Sequence, residues 1–178
     1  MLEPLGFEVV SLKEANIVAD PEETGKTFRE NARIKATEIC RLADLPALAD
    51  DSGLCVDALN GAPGIYSARY SGGDDRRNIA KLLEELSGVP EEKRTAHFTC
   101  AICCVWPDGK MLEAEGICPG KIDTLPKGNG GFGYDPVFIS DEAGSFGLIS
   151  PEEKDKVSHR GRALKAFVES YQKNEETK

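Results

Sequence analysis

The residues of this sequence that are best suited to chemistry are two adjacent carboxylates, Asp50 and Asp51, which follow a short apolar run and precede Ser52-Gly53. Carboxylates at the end of a strand, where a loop opens, are well placed to face a cleft. Adjacent side chains on a strand point to opposite faces, so one carboxylate could hold a hard cation while the other orients water. The alternative is that both residues only cap the loop.

A second acidic pair, Glu22 and Glu23, lies just before a long helical pattern. Carboxylate oxygens suit a hard cation such as Mg²⁺, so this pair adds to a candidate metal site. The alternative is electrostatic, because acidic side chains stabilise the N-terminus of a helix without binding a metal.

Glycines are concentrated in two stretches of the chain, where they would let backbone N–H groups approach a ligand closely. Neither stretch matches GxxxxGK[ST] or a strand-borne GxGxxG, so the sequence contains no standard phosphate-binding loop. Structural turns are the alternative explanation for both stretches. The first contains Gly53, Gly61, Gly64, Gly72 and Gly73, and the second contains Gly128, Gly130, Gly131 and Gly133.

An aromatic residue, Phe132, lies between glycines of the second stretch, an arrangement that suits a stacking platform for a nucleotide base. Asp135 follows it and could accept hydrogen bonds. Lys154, His159 and Arg160 supply positive charge, and the Arg160 guanidinium could bind an oxygen acceptor, although a solvated helix start is the alternative. Acidic residues for a metal, lysines for phosphates and an aromatic slot together favour a Mg²⁺-dependent nucleotide site.

The composition predicts one soluble globular domain, since 40% of the 178 residues are hydrophobic and 30% are charged. We expect residues 1–173 to form a single domain and residues 174–178 a flexible tail. No apolar run approaches the ~18 residues of a membrane helix, and the amino end lacks the basic start of a secretory signal. The net charge of −9 argues against nucleic-acid binding. We expect a cytoplasmic protein with neither a nucleic-acid partner nor a membrane partner.

The six cysteines favour neither a disulfide framework nor a zinc site. Cys100 and Cys103 lie in an apolar run that is typical of a strand, where residues three apart face opposite sides and cannot converge on one metal. Cys40 and Cys55 have apolar neighbours, and a free cysteine is commonly a small buried hydrophobe. We therefore expect core thiols that stay reduced, as in cytosolic proteins.

Apolar spacing predicts the elements that must position these residues. Helices are predicted over residues 24–43, 76–86 and 160–171. The last has Ser158 as its expected N-cap. A polar stripe on the first helix contains Asn31, Lys35 and Glu38.

Strands are predicted between these helices, and the pattern is that of an α/β fold. The predicted strands cover residues 46–49, 95–106, 111–117 and 136–139. A Pro-Asp-Gly-Lys turn at 107–110 joins the middle two as a hairpin. Helices that alternate with strands before a hairpin favour a mixed, twisted sheet flanked by helices rather than a purely parallel one.

Several long and unusual segments follow one another over residues 22–161. They are Glu22-Glu23-Thr24-Gly25 with Thr27-Phe28-Arg29-Glu30-Asn31-Ala32, Ala49-Asp50-Asp51-Ser52-Gly53-Leu54, Gly61-Ala62-Pro63-Gly64-Ile65-Tyr66-Ser67-Ala68-Arg69-Tyr70, Gly130-Gly131-Phe132-Gly133-Tyr134-Asp135-Pro136, and Glu153-Lys154 followed by Ser158-His159-Arg160-Gly161. Together they resemble the inosine triphosphate pyrophosphatase family, the XTP/dITP diphosphatases.

The resemblance implies a function and an architecture. The function is Mg²⁺-dependent hydrolysis of the noncanonical purine nucleotides ITP, dITP and XTP to the monophosphate and pyrophosphate, which removes damaged nucleotides before polymerases use them. The architecture is an elongated mixed α/β fold with two lobes and a central cleft, found as a homodimer.

The resemblance also implies roles for individual residues. Asp51 would be the catalytic carboxylate and a metal ligand, with Asp50 beside it, and Glu22 would be the second metal ligand. The implied substrate-binding residues are Lys35, Ser52, Arg69, the base and sugar pocket of Phe132, Gly133, Tyr134 and Asp135, and the base-recognising Lys154, His159 and Arg160.

The amino end departs from the family pattern. The family begins with a strand and a loop of the form [ST]xNxxK, whose Asn and Lys bind phosphate, and this sequence has no such motif. Residues 1–7 resemble the end of the helix that follows that loop, so the resemblance implies a shortened N-terminus. We expect an exposed apolar slot beside the sheet and weakened catalysis.

Two other functions are compatible with the sequence. The first is a nucleotide-binding protein whose turnover is impaired by the missing phosphate loop, which would bind ITP without releasing pyrophosphate. The second is a related pyrophosphatase for pyrimidine or modified-base nucleotides, which a substrate panel would reveal.

Overall fold

The computed structural model describes residues 2–128 and 130–176. Its main helices are α1 (Phe28–Ala43), α2 (Asp75–Glu85), α3 (Pro151–Val157) and α4 (His159–Glu176). Its strands are β1 (Ala47–Val56), β2 (Thr95–Val105), β3 (Met111–Ile122), β4 (Phe138–Ser140) and β5 (Gly144–Ser145). No helix in this part of the chain is both long and apolar enough to span a membrane.

The strands form one sheet in the order β1-β2-β3-β4-β5. Strands β3 and β4 pair antiparallel, with Gly120 opposite Ser140 and Ile122 opposite Phe138. Strand β5 continues the antiparallel pattern against β4. The predicted α/β class, a sheet flanked by helices, is confirmed.

Strand β1 is longer than the pattern at residues 46–49 predicts. It continues to Val56, because Leu54 and Val56 are fully buried and extend the apolar face past the two aspartates. Asp50 and Asp51 therefore lie within a strand, and the expectation that they open a loop is wrong. Backbone hydrogen bonds of the sheet hold both residues more firmly than a loop would.

Helix ends are set by side-chain caps. Helix α1 begins at Phe28 rather than near Thr24, because the Thr27 side chain caps it by accepting a hydrogen bond from Glu30 N at 3.1 Å. The predicted cap of α4 is confirmed, since Ser158 Oγ accepts from Gly161 N at 3.1 Å. Helix α4 continues to Glu176, so residues 174–176 of the expected tail are helical, and residues 177–178 lie outside the described part.

Contacts divide the chain into two compact units. Unit 1 takes its described residues from Met1–Asp51, Cys100–Gly116 and Ala163–Lys178, and unit 2 from Ser52–Thr99 and Ile117–Arg162. In unit 1, one face of β2 packs on α1 through Ala101, Cys103 and Val105, while the other packs on α4 through Cys100, Ile102 and Cys104. The core of unit 2 includes Leu54, Val56, Leu82, Phe98, Phe138 and Phe146.

The cysteines behave as core residues. Five of the six are buried, Cys55 is half-buried, and all six are free thiols. Cys100 and Cys103 belong to clusters on opposite faces of β2, as the strand pattern predicts. Burial raises the pKa of Cys103 to about 11 and that of Cys104 to about 12, so these thiols are poor nucleophiles at neutral pH.

An apolar cavity of about 490 Å³ lies in unit 1 beside the start of β1, which is a terminal strand of the sheet. Its walls include Leu45, Ala47 and Leu48 on one side and Val9 and Val10 among the residues that precede α1.

Candidate functional site

Helix α1 directs two hydrogen-bond donors at the carboxylate of Asp51. Asn31 and Lys35 are four residues apart, so they lie on one helix face. Asn31 Nδ2 donates to Asp51 Oδ2 at 3.1 Å, and Lys35 Nζ donates to Asp51 Oδ1 at 3.1 Å. Asp51 is only 9% exposed, and each of its oxygens has its own donor.

Lys35 also reaches a second carboxylate. Its Nζ donates to Glu23 Oε1 at 2.8 Å, so one ammonium group bridges Glu23 and Asp51. Burial lowers the pKa of Lys35, but the hydrogen bonds and charges of both carboxylates outweigh this effect, and the net pKa is raised. Lys35 is therefore firmly positive at neutral pH.

The carboxyl group of Asp51 has an altered acidity. Burial raises its pKa above the ordinary aspartate value, an effect that the hydrogen bonds from Asn31 and Lys35 and the Lys35 charge only partly oppose. The negative charge of Glu23 acts in the same direction as burial. A buried carboxylate with a raised pKa, next to a fixed cation, is typical of an acid–base residue.

Asp50 points away from this cluster. Its Oδ2 accepts a hydrogen bond from the thiol of Cys100 at 3.7 Å, and Cys100 belongs to the core that packs on α4. Asp51 instead faces α1. The predicted division of the two adjacent aspartates between the two faces of a strand is confirmed.

The structure brings Glu23, rather than Glu22, to Asp51. Glu22 is exposed and Glu23 is half-buried against Lys35. The resemblance implied Glu22 as the metal ligand, and periodicity does not distinguish neighbouring acidic residues in a loop. The role of Glu22 as a metal ligand stays a prediction.

Sequence reasoning did not assign Asn31 to the site. The available signal was the polar stripe of α1, in which Asn31 and Lys35 stand one turn apart on a helix whose other face is apolar.

This cluster offers a metal ion two carboxylates, those of Glu23 and Asp51. Across residues 2–128 and 130–176, no group of three or more His, Cys, Asp or Glu side chains is arranged to hold a metal ion. Glu23 and Asp51 already share one cation, the Lys35 ammonium. A hard divalent ion held by these two carboxylates would take its other oxygen ligands from water or from a phosphate.

A second cluster, in unit 2, surrounds the buried carboxylate of Asp135. This side chain is 2% exposed, accepts a hydrogen bond from Phe132 N at 2.8 Å and forms an ion pair with Lys154. Gly131 has a φ of +73°, and a Cβ there would lie 2.0 Å from Asp135 Oδ2. The glycine is therefore required for the loop to close over the carboxylate.

Phe132 is 60% exposed, and its ring has two cations near it. Lys154 Nζ lies 4.3 Å from the ring centroid, and Arg160 Cζ lies 5.7 Å from it. His159, the neighbour of Arg160, is buried and stacks on Phe98 with ring centroids 4.8 Å apart. Lys154 and Arg160 therefore lie beside the Phe132 ring, whereas His159 is buried against the core residue Phe98.

Other predicted substrate-binding residues occupy distinct places. Tyr134 is buried and its hydroxyl donates to Ser67 O at 2.9 Å, while Gly133 N donates to Asp75 Oδ2 at 2.8 Å. Arg69 is exposed, with its guanidinium 5.4 Å from the Tyr66 ring centroid. Ser52 is half-buried in β1. Their roles stay predictions.

Known proteins resemble this chain over nearly its whole length. The profile of the Ham1 family matches residues 1–170. A dITP/XTP pyrophosphatase of Geobacillus kaustophilus is 50% identical over 94% of this chain and 83% of its own.

Two solved structures show the same fold. The Ham1 protein of Staphylococcus aureus has a TM-score of 0.88 at 38% identity, over 96% of this chain and 89% of its own. A nucleoside-triphosphatase, or dITP/XTP pyrophosphatase, of Mycobacterium abscessus has a TM-score of 0.78 at 47% identity, over 93% and 87%. These matches confirm the resemblance found in the sequence, and the chain belongs to the Ham1 family.

Proposed function

We propose that this protein hydrolyses the noncanonical purine nucleotides ITP, dITP and XTP to the nucleoside monophosphate and pyrophosphate. The name of the Geobacillus relative, which is 50% identical, supports this reaction. The observation that carries the proposal is the Lys35 ammonium shared by Glu23 and Asp51. This arrangement offers oxygens of two carboxylates, Glu23 and Asp51, for a metal, and the fixed positive charge of Lys35 for a phosphate chain.

We propose Mg²⁺ as the cofactor, held by Asp51 and by one of the two adjacent glutamates. The structure favours Glu23, because it already shares a cation with Asp51. Carboxylate oxygens are ligands that suit this hard ion. When bound, the ion would neutralise negative charge on the phosphate oxygens.

Asp51 is the proposed general base for the attacking water. Its burial raises its pKa, so it holds a proton more readily than an exposed aspartate would. Asn31 and Lys35 restrict its orientation, which keeps the carboxylate ready for the water. Asp50 lies next to it in β1 on the opposite face and is the secondary catalytic candidate.

Phe132, Lys154 and Arg160 are the proposed readers of the purine. The exposed ring offers a stacking face, and the two cations beside it are hydrogen-bond donors that suit a 6-oxo group. Adenine presents a donating amine there instead. A buried donor left without an acceptor costs ~1–3 kcal/mol, which corresponds to roughly a ten- to hundredfold preference against ATP.

We retain the remaining predicted substrate contacts as proposals for individual residues. They are Lys35 and Arg69 for the phosphates, Ser52 for the nucleotide, Gly133, Tyr134 and Asp135 for base and sugar, and His159 for the base. We also propose that the protein is cytoplasmic and forms a homodimer. Light scattering coupled to size-exclusion chromatography would test the oligomeric state.

The test is a pyrophosphate-release assay with ITP, dITP, XTP, ATP and GTP, with and without Mg²⁺. We expect release from the first three nucleotides, dependence on Mg²⁺, and loss of release in Asp51→Asn. Binding of ITP with no release by the wild-type protein would contradict the proposal and would identify a nucleotide-binding protein. Preference for pyrimidine nucleotides would contradict the purine specificity.

A further inference from the structure

We propose that Asn31 is a positioning residue that fixes the carboxylate of Asp51 for the reaction. This inference rests on the proposed function. Asn31 is 0% exposed, and it is one of the largest fully buried side chains of the protein. A buried amide is stabilising only when its donor and acceptor are both satisfied, so its partners show what it does.

Both ends of the Asn31 amide are used. Its Nδ2 donates to Asp51 Oδ2 at 3.1 Å, and its Oδ1 accepts from Gly25 N at 2.8 Å. A carboxylate only accepts and a backbone N–H only donates, so the two partners determine which end of the amide faces which. The side chain is therefore fixed in one orientation.

Gly25 makes this orientation possible. A Cβ at position 25 would lie 2.5 Å from Asn31 Oδ1 and 2.9 Å from Asn31 N, so any larger residue would displace the amide. Gly25 lies two residues after Glu23, whose carboxylate reaches Asp51 through Lys35. Asn31 thus links the loop that carries one acidic residue to the strand that carries the other.

A second buried asparagine shows what distinguishes Asn31. Asn78 is 2% exposed and is the fourth residue of α2, just as Asn31 is the fourth residue of α1. Each Oδ1 accepts a hydrogen bond from a backbone N–H of the preceding loop, that of Ser71 for Asn78 at 2.8 Å. The acceptors of the two Nδ2 groups differ, because Nδ2 of Asn78 donates to the carbonyls of Ser67 and Ala68 instead of to a carboxylate.

Geometry explains why the bond to Asp51 matters for rate. Lys35 holds Oδ1 and Asn31 holds Oδ2, so the plane of the carboxylate is fixed by two donors from one helix. Without Asn31 the carboxylate loses one of these two donors and can turn about its bond to Cβ while Lys35 still contacts Oδ1. A misplacement of about 1 Å at a reacting group lowers the rate by about a hundredfold.

The test compares Asn31→Asp, Asn31→Ala and Asn78→Ala with the wild-type protein in pyrophosphate release from ITP. Asn31→Asp keeps an oxygen for Gly25 N but loses the donor to Asp51. We expect kcat to fall about a hundredfold in both Asn31 variants, with KM changed less than about threefold. Asn78→Ala should lose comparable thermal stability and keep kcat within about threefold. A kcat of Asn31→Asp within that same range would overturn the proposal.

A measurement without turnover separates this inference from the proposed function. Asn31→Asp should lower Tm by placing two carboxylates together, and adding Asp51→Asn should restore it, because the amide and the carboxylate then exchange places. Additive losses of Tm would overturn the inference. Absence of pyrophosphate release by the wild-type protein would instead defeat the proposed function, while the Tm comparison would still decide whether the side chain at position 31 holds that at position 51.

Discussion

The Lys154 ammonium is paired with Asp135, a carboxylate that is only 2% exposed, and it also lies 4.3 Å from the centroid of the exposed Phe132 ring. One cation therefore neutralises a buried charge and contributes to the surface proposed to read the base. We therefore expect stability and substrate preference to be coupled at this residue.

Replacement of Lys154 by methionine should destabilise the protein by about 3–5 kcal/mol at pH 7, because it leaves the buried charge of Asp135 without a partner. Burial already raises the pKa of Asp135, so the ionised carboxyl opposes folding, and the Lys154 charge opposes that shift. The pKa should rise further in the variant. The free energy of unfolding that the variant loses should therefore be small below the ordinary aspartate pKa. This loss should grow as the pH rises through the raised pKa of Asp135.

Urea unfolding at about pH 3.5 and pH 7 measures this difference in the free energy of unfolding. Asp135→Asn is the matched control, since it removes the charge and keeps an acceptor for Phe132 N. Equal destabilisation of Lys154→Met at both pH values would contradict this explanation.

Substitution of Glu23 should lower turnover more than substitution of the adjacent Glu22. Glu23→Gln should lower turnover of ITP by about a hundredfold and raise the Mg²⁺ concentration needed for half-maximal rate, because Glu23 shares a cation with Asp51. Glu22→Gln is the control, since Glu22 is exposed. Steady-state kinetics over a Mg²⁺ titration decide between them, and a larger loss for Glu22→Gln would restore the assignment made from sequence.

Loss of the bridging ammonium should be severe. Lys35→Gln should lower kcat/KM for ITP by about two decades, because Glu23 and Asp51 lose their common counter-charge and the phosphates lose a cation. Lys110→Gln is a suitable control, since the Lys110 side chain is 62% exposed and forms an ion pair with Asp108 of the same turn. Unchanged kinetics of Lys35→Gln would remove this lysine from the proposed mechanism.

The exposed ring of Phe132 should serve binding rather than folding. Phe132→Ala should raise KM for ITP about tenfold with little change in Tm, because 60% of the residue is exposed and base stacking is worth about 1–3 kcal/mol. Leu148→Ala is a control at another exposed apolar residue. A drop in Tm with an unchanged KM would show that the ring supports the fold instead.

The cysteines should be largely inert in the native state. Burial raises the pKa of Cys103 to about 11 and of Cys104 to about 12, and Cys55 is the one half-buried thiol of the six. A chromogenic thiol reagent at pH 8 should titrate at most one thiol rapidly in the native protein and six in denaturant. Rapid reaction of several native thiols would contradict this description of the core.

The sequence predicts the sheet and the helices because their apolar periodicity is strong, as along α1, where Ala32, Ala36 and Cys40 are buried at helical spacing. It misplaces the end of β1, since the two aspartates interrupt the apolar run and only burial of Leu54 and Val56 shows that the strand continues. In a sequence, polar residues within a strand give the same pattern as the start of a loop.

Parts of the candidate site follow from sequence and parts do not. Asp51, Lys35, Phe132 and Lys154 occupy motif positions, and the structure places each of them in a charged or aromatic cluster. Glu23 lies in the irregular segment before α1, which leaves no periodic signal. Asn31 lies on the polar stripe of α1, but its role is shown only by the contacts of its buried amide with Asp51 and Gly25. Irregular backbone has to be seen before its side chains can be assigned.

The placement of both aspartates inside β1 constrains how this gene can vary. Neighbouring strand residues alternate between faces, so inserting or deleting one codon between residues 47 and 50 would exchange the sides occupied by Asp50 and Asp51. Such a frame-preserving change would turn the acid away from α1 even if every other contact survived. Length variation is therefore expected at hairpins and termini, and strict conservation of spacing is expected along this strand.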